Sequence, residues 1–402
     1  MKKQMVLPFI ILASVPFIMV LGNSMLIPVF PQMERAMHLS RFQVGLVVTL
    51  FSLPAGIIIP FAGALSDHIG RKTVMAPALL VYGVGGLIAG VAAMILAKPY
   101  PLILVGRIVQ GIGAGGTYQL AMALAGDIFT TQERTKVLGY LEAANGFGKV
   151  LSPLLGAALA LISWYTPFFV YSLLAIPIAV AVWFLVIEKR DQLQPQTASE
   201  YWRSLRQVFA DKAAPLLACY AVGAIGLFLL FGLLSFLSDE LETVHNIAGF
   251  AKGGVLAIPV GTMALTSFLG GLLLQAHQQW LKAAIVIGLT LTTIGLGLLT
   301  VSVQPVLIII SAAVAAIGIG MLLPPLNTFI TSATGIGERG LITCLYGTVR
   351  FLGVAVGPPL FGLVATFSRM YMFIGATLIS GLGILIASLW IDSAKLLDTN
   401  KN

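Results

Sequence analysis

Gly63-Ala64-Leu65-Ser66-Asp67-His68-Ile69-Gly70-Arg71-Lys72 is a short polar interruption in an otherwise apolar sequence. The run 42–65 precedes it and the run 73–97 follows it. Each is about as long as the 20 apolar residues that carry a helix across a bilayer. A turn holding Asp67, Arg71 and Lys72 between two such runs reads as a helical hairpin whose loop stays in water. Gly63 permits close backbone approach and Gly70 a tight turn.

The same alternation extends through all 402 residues. The chain is 58% hydrophobic and 9% charged, against about 25% charged in a soluble protein, and its mean hydropathy is +0.99. These values exclude a soluble enzyme, a nucleic-acid-binding module and a disordered chain. Apolar runs separated by polar punctuation predict twelve helices, at about 6–30, 42–65, 73–97, 101–127, 135–160, 164–187, 213–237, 247–274, 282–302, 305–333, 340–366 and 369–391. The apolar run after Met1-Lys2-Lys3 continues past Pro16 to Phe30 without a small-residue cleavage site, so it is expected to be an uncleaved first helix. Cys219 and Cys344 both lie in apolar runs and form no disulfide framework.

Lys and Arg set the orientation. With a cytoplasmic N-terminus, 15 of the 23 fall in inside segments and five in outside segments, namely Arg35, Arg41, Lys98, Lys252 and Arg369. Arg107, Lys149 and Arg350 fall within predicted helices. This bias places both termini in the cytoplasm of a multi-pass plasma membrane protein, expected to be bacterial. The longest polar stretch, 188–212, reads as a cytoplasmic linker with an amphipathic segment around Tyr201–Phe209. It divides the chain into a six-helix bundle at 1–187 and a second at 213–402. An offset of 205 residues aligns Glu133-Arg134 with Glu338-Arg339, Gly113 with Gly318, Gly115 with Gly320 and Pro153 with Pro358. Two repeats of this kind are a common construction of secondary transporters.

Three motifs follow in order: the 63–72 loop, Arg107-Ile-Val-Gln110-Gly111-Ile-Gly113-Ala114 in helix 4, and Gly148-Lys149-Val-Leu-Ser152-Pro153-Leu-Leu-Gly156 in helix 5. Together they resemble the major facilitator superfamily, in particular its twelve-helix drug:proton antiporter branch. Pro28-Val-Phe-Pro31 is similar to the branch's usual end of helix 1. The resemblance covers essentially the whole chain. It implies an all-α polytopic membrane protein, with twelve transmembrane helices in two pseudo-symmetric bundles. It also implies a proton-coupled exporter working by alternating access, with no cofactor beyond the proton gradient. In the family the loop acts as a conformational latch, here Gly63, Asp67, Gly70, Arg71 and Lys72. The helix 4 arginine, here Arg107, serves proton coupling or helix packing. Ser152 and Ala157 stand where the helix 5 pattern normally has glycine. Gly111, Gly113, Gly148, Pro153, Gly156, Gly357 and Pro358 are expected to allow close helix contacts.

The residues also speak for themselves. Arg107 is about 10 Å deep at 1.5 Å per residue, where a charge usually faces a cavity or a partner. Glu142 and Lys149 are two turns apart on one face of helix 5. Arg350 corresponds, at the repeat offset, to Asn145 between them. The expectation is a polar site of buried charges, with Glu142, Arg107 and Asp127 in proton coupling. Asn23, Gln119, Lys149, Asn327, Arg350 and Phe231 are expected to line the substrate cavity. Phe17, Met19, Met25, Phe228, Phe236 and Met263 are candidates for an adaptable apolar lining. The excess of cations favours an anionic or zwitterionic amphipathic substrate, whether the exporter is broad or dedicated to one siderophore, acidic metabolite or charged lipid. The expected partners are that small molecule and the lipid bilayer, with no nucleic acid, no metal and a monomeric chain. No nucleophile–base constellation suggests an enzyme.

Overall fold

The computed structural model describes residues 5–129, 131–188, 198–333 and 336–397. Among these the secondary structure is helical, with no strand. The first expected span is α1 (Val6–Ser24), a 3-10 turn at Ile27–Val29, and α2 (Phe30–Met37). Pro28 lacks an N–H and crowds the carbonyl four residues back, which stops α1 at Ser24. Pro31 then sits at the start of α2, where a missing N–H costs nothing. The chain therefore resumes its helix beyond the prolines expected to end it.

α3 (Arg41–Ile69) and α4 (Arg71–Ile95) are separated by Gly70 alone, so the rest of the 63–72 stretch expected as a loop lies in the two helix ends. The fourth expected span is broken into α5 (Tyr100–Gly115) and α6 (Tyr118–Ile128). At the break Thr117 Oγ1 donates to the Ala114 carbonyl at 2.7 Å, a local bond that competes with the helical ladder. α7 (Thr131–Leu159) and α8 (Thr166–Leu185) complete the first compact unit.

The second unit begins at α9 (Ala198–Thr243), a merged helix with a kink at Lys212, where φ is −122°. Pro215 removes one ladder bond just after that point. Part of the expected 188–212 linker is therefore helix leading into the seventh span, while 189–197 lie outside the described residues. α10 (Gly249–Ala276), α11 (Leu281–Val301), α12 (Pro305–Ser332), α13 (Ile336–Phe367) and α14 (Arg369–Trp390) follow, with a short α15 (Ser393–Leu397). Ser40–Gly45, at the start of α3, groups with this unit.

Ten helices among the described residues are long and apolar enough to cross a membrane. The other two expected spans are α5–α6, divided at Gly116–Thr117, and α7, which carries Glu142 and Lys149.

Each unit packs by the same scheme. In the first, α1 packs on α7, and α4 on both α5 and α8. In the second, α9 packs on α13, and α11 on both α12 and α14. The repeat-matched glycines occupy matching contacts. Gly113 lies against the α4 backbone at Ala78 and Tyr82, as Gly318 lies against α11 at Gly288 and Thr292. Gly115 meets the Ala55 carbonyl of α3, and Gly320 the Met263 carbonyl of α10. Gly148 faces Phe17 of α1, and Gly353 faces Ala224 of α9. Gly111, Gly156 and Gly357 also abut backbone carbonyls, those of Phe51, Met25 and Phe228. A methyl group at Gly111, Gly113, Gly115, Gly156, Gly318, Gly320, Gly353 or Gly357 would overlap main chain, and at Gly148 it would press on Phe17. Pro153 lies inside α7 and Pro358 inside α13.

Candidate functional site

Arg107 on α5 is fully buried, yet four hydrogen bonds converge on its guanidinium. Nε donates to the Val47 carbonyl at 2.9 Å. Nη1 donates to the Gly22 carbonyl at 2.9 Å and to Gln110 Oε1 at 2.7 Å. Nη2 donates to Asn23 Oδ1 at 2.5 Å, and Asn23 Nδ2 in turn donates to Ser52 Oγ at 2.8 Å. Phe51 places its ring 4.4 Å from the guanidinium carbon. Every oxygen in this set is neutral, so the cation is solvated by amide dipoles instead of by a carboxylate. Asn23, expected to line the cavity, is 6% exposed and committed to Arg107 and Ser52. Its place beside α5 follows from packing between α1 and α3, which its own sequence neighbours do not reveal.

The 63–72 loop closes on a carboxylate that sequence reading assigned to the linker. Gly70 takes a positive φ of 102°, which turns the chain into α4. The Arg71 amide donates to Glu188 Oε1 at 2.6 Å and the Lys72 amide to Glu188 Oε2 at 3.2 Å. Glu188 thereby caps the N-terminus of α4, where the exposed amides and the helix dipole both favour an anion. A Cβ on Gly70 would lie 2.8 Å from Glu188 Oε2. Lys72 Nζ donates to the Val186 carbonyl at 2.8 Å. Arg71 pairs with Asp67 at 3.3 Å and with Asp127 at 2.5 Å. Asp127 thus stands with the loop cluster at the end of α6 and not with Glu142. Gly63 supplies the carbonyl that accepts from Ser66 Oγ at 2.7 Å.

On α7, Glu142 is exposed, contrary to the buried position expected for it, and accepts a hydrogen bond from Tyr118 Oη at 2.5 Å. Lys149 and Gln119 are half-buried. Position along the axis of α7 does not fix which face a side chain takes. Asn145, on the same helix, is 9% exposed and donates to the Pro16 carbonyl at 3.4 Å. Glu142, Gln119 and Lys149 lie in the first unit, and Asn327, Phe231 and Arg350 in the second.

In the second unit Asn327 is exposed and Phe231 half-buried. Met19, Met25, Phe228, Phe236 and Met263 are buried, so they pack the interior instead of lining an open surface. Phe228 meets Phe361 at 5.6 Å and Phe236 meets Phe373 at 5.0 Å. Phe17 stacks on Phe147 at 6.2 Å. Arg350 on α13 is partly exposed and stands over the Tyr346 ring at 5.3 Å. It makes no hydrogen bond or ion pair with a described residue, and its Nε is buried without a partner.

A charge cluster at the end of α9 escaped sequence reading. Glu242 and Lys252 form a buried ion pair, with side chains 7% and 1% exposed. Glu240 pairs with Arg369 at 3.1 Å and Asp239 with Arg41 at 2.5 Å. Lys252, counted above as an outside topology residue, lies in the first turns of α10. All six groups oppose the dipole of the helix end they occupy: acids at the C-terminal end of α9, bases at the N-terminal ends of α3, α10 and α14. That opposition is the signal in the sequence. Ser238-Asp-Glu-Leu-Glu242 puts three acids where a helix end disfavours them, so partners are required.

The sequence matches the family described as Major Facilitator Superfamily over residues 12–358 and again over 216–401. It is 37% identical over 388 residues to the bacillibactin exporter of Bacillus subtilis (strain 168), with 96% of each chain covered. It is 27% identical over 398 residues to Multidrug resistance protein 2 of the same organism, covering 94% of each. Among solved structures it is similar to the D-xylose-proton symporter, with a TM-score of 0.76 and 14% identity over 98% of this chain and 99% of that one. At that identity the likeness is one of fold.

Proposed function

The chain belongs to the Major Facilitator Superfamily, and from that premise we propose that it is a proton-coupled exporter of small amphipathic compounds, anionic or zwitterionic in character. It is a multi-pass membrane transporter of small molecules and not an enzyme. The observation that carries the export reading is the 37% identity to an exporter over 96% of both chains. The choice of substrate charge rests on the cations Lys149 and Arg350 within the helices, set against Glu142; Arg107 is buried and held by its own hydrogen bonds. The proton gradient supplies the energy, with no cofactor. The exporter works as a monomer in a bacterial plasma membrane, with both termini in the cytoplasm.

Glu142 takes the proton in this reading. Its exposed carboxylate is reachable, and it accepts a hydrogen bond from Tyr118. Inverted membrane vesicles with an imposed pH gradient test this. The wild type is expected to accumulate an anionic amphiphile when the gradient is set, and Glu142→Gln to bind the same compound while losing the gradient-driven accumulation. Retained pH-gradient coupling in Glu142→Gln would refute the assignment.

A second reading, export of one dedicated anionic compound such as a siderophore or acidic metabolite, is favoured by the difference between 37% identity to the bacillibactin exporter and 27% to a multidrug resistance protein. Competition assays with unrelated amphiphiles separate the two, since a dedicated exporter leaves most of them unbound.

A further inference from the structure

Arg350 is a cation within a spanning helix for which the protein supplies no anion and no hydrogen-bond acceptor among the described residues. Such a charge is costly in a membrane and usually faces a pathway or a ligand. What the protein does supply is an aromatic stack. Tyr346, one helical turn before Arg350, lies 5.3 Å beneath the guanidinium. Tyr220 of α9 stacks on Tyr346 at 5.9 Å with 25° between the rings. Tyr220 is fixed by donating to the Ile342 carbonyl at 2.9 Å. Gly223, one turn along α9, makes room for Tyr346, since a Cβ there would lie 2.5 Å from its ring and 2.8 Å from its hydroxyl. The stack is thus built into the contact between α9 and α13. The Tyr346 hydroxyl at its centre is buried with no partner, as is Arg350 Nε.

We infer that Arg350, layered on Tyr346 and Tyr220, is a recognition site for a planar aromatic anion, such as an aryl carboxylate or a phenolate. This deepens the anionic-substrate reading above and rests on it. A guanidinium is planar and delocalised. It offers a fork that matches a carboxylate in its own plane and a face on which another planar group stacks. The guanidinium carbon lies 5.3 Å from the Tyr346 ring centre, so a planar ligand ring can share this aromatic neighbourhood while its anionic group meets the fork. An aliphatic anion of the same charge satisfies the fork alone. A lysine at 350 would attract either anion without distinguishing them. The charge of the site selects an anion, and its flatness selects an aromatic one.

The test compares 2-naphthoate with decahydro-2-naphthoate, which share charge and carbon skeleton but differ in planarity. Binding is measured by titration calorimetry on the full chain in lipid nanodiscs. The wild type is expected to bind the aromatic acid about fivefold to tenfold tighter, the range that stacking and cation–π contacts contribute. Arg350→Lys is expected to retain binding of both acids and lose the preference. Tyr346→Leu is expected to lose most of it, and Tyr346→Phe to keep it. Monodisperse elution and an unchanged thermal transition establish that each variant is folded. Equal affinities in the wild type, no binding of either acid, or an unchanged preference in Arg350→Lys would each overturn the inference. Export assays with the same compounds separate this from the parent reading. If both acids are exported equally and a cationic dye is not, only the aromatic preference falls. If the dye alone is exported, the anionic reading falls with it.

Discussion

Arg107 and Arg350 are both arginines within helices of a membrane protein, and the chain treats them in opposite ways. Arg107 is fully buried, holds four hydrogen bonds to neutral oxygens drawn from α1, α3 and α5, and rests on Phe51. Arg350 is partly exposed and, among the described residues, has a tyrosine ring beside it but no hydrogen-bond acceptor or anion. A buried charge is tolerated when its donors are satisfied, so Arg107 reads as a fixed cross-brace of the first unit. Arg350, with a buried Nε that has no partner among the described residues, is open to a partner from outside. Side-chain chemistry alone does not tell these two residues apart. The count of acceptors around each does.

The largest expected effect lies on the satisfied side of this comparison. Arg107→Lys cannot reproduce a four-way fork, and Arg107→Ala strands the Gly22 and Val47 carbonyls and the amides of Asn23 and Gln110. We expect a loss of about 1–3 kcal/mol for each buried acceptor left unsatisfied in either variant, read as a collapse of the thermal transition in detergent. A small shift would mean that Arg107 is held less firmly than its bonds imply. The Glu242–Lys252 pair sharpens the point, because there a buried cation does have an anion. Lys252→Met alone or Glu242→Leu alone should cost about 3–5 kcal/mol, while the double variant Lys252→Met/Glu242→Leu should recover most of it. Additive losses in that cycle would show that the pair is not coupled.

Glu188 tests a weaker contact of the same kind. Glu188→Ala removes the cap from α4, and about 1–2 kcal/mol of stability is expected to go with it. Gly70→Ala should cost more, because it meets both the positive φ and the Glu188 carboxylate. The smallest stability effect belongs to Arg350→Gln, which breaks no hydrogen bond to a described residue. Its thermal transition should stay within a few degrees of the wild type while binding of anionic amphiphiles is lost.

Much of the fold was legible because hydropathy and spacing are local properties. The apolar runs, the polar loop at 63–72 and the 205-residue offset all map onto helices and matching glycine contacts. Pro28 misled only in part, since a proline that ends one helix can open another. The site was less legible because its partners come from distant segments. Glu188 is 117 residues from the amide of Arg71 that it caps. Asn23 is 84 residues from Arg107. Lys252 was read for topology because the orientation rule counts bases and ignores acids, so Glu242, ten residues away across a helical turn-back, went unmatched. Glu142 shows the remaining gap: its sequence fixes its height on α7 but not the face on which it stands.

We propose that this transporter moves anions outward using the proton gradient. Inverted vesicles containing the wild type or Arg350→Gln test it most directly, with an anionic amphiphile and a cationic dye supplied in parallel under an imposed pH gradient. The account predicts gradient-dependent accumulation of the anion by the wild type, little of the dye, and loss of anion accumulation in Arg350→Gln at unchanged protein level. Gradient-driven accumulation of the cationic dye in preference to the anion, by either protein, would contradict it.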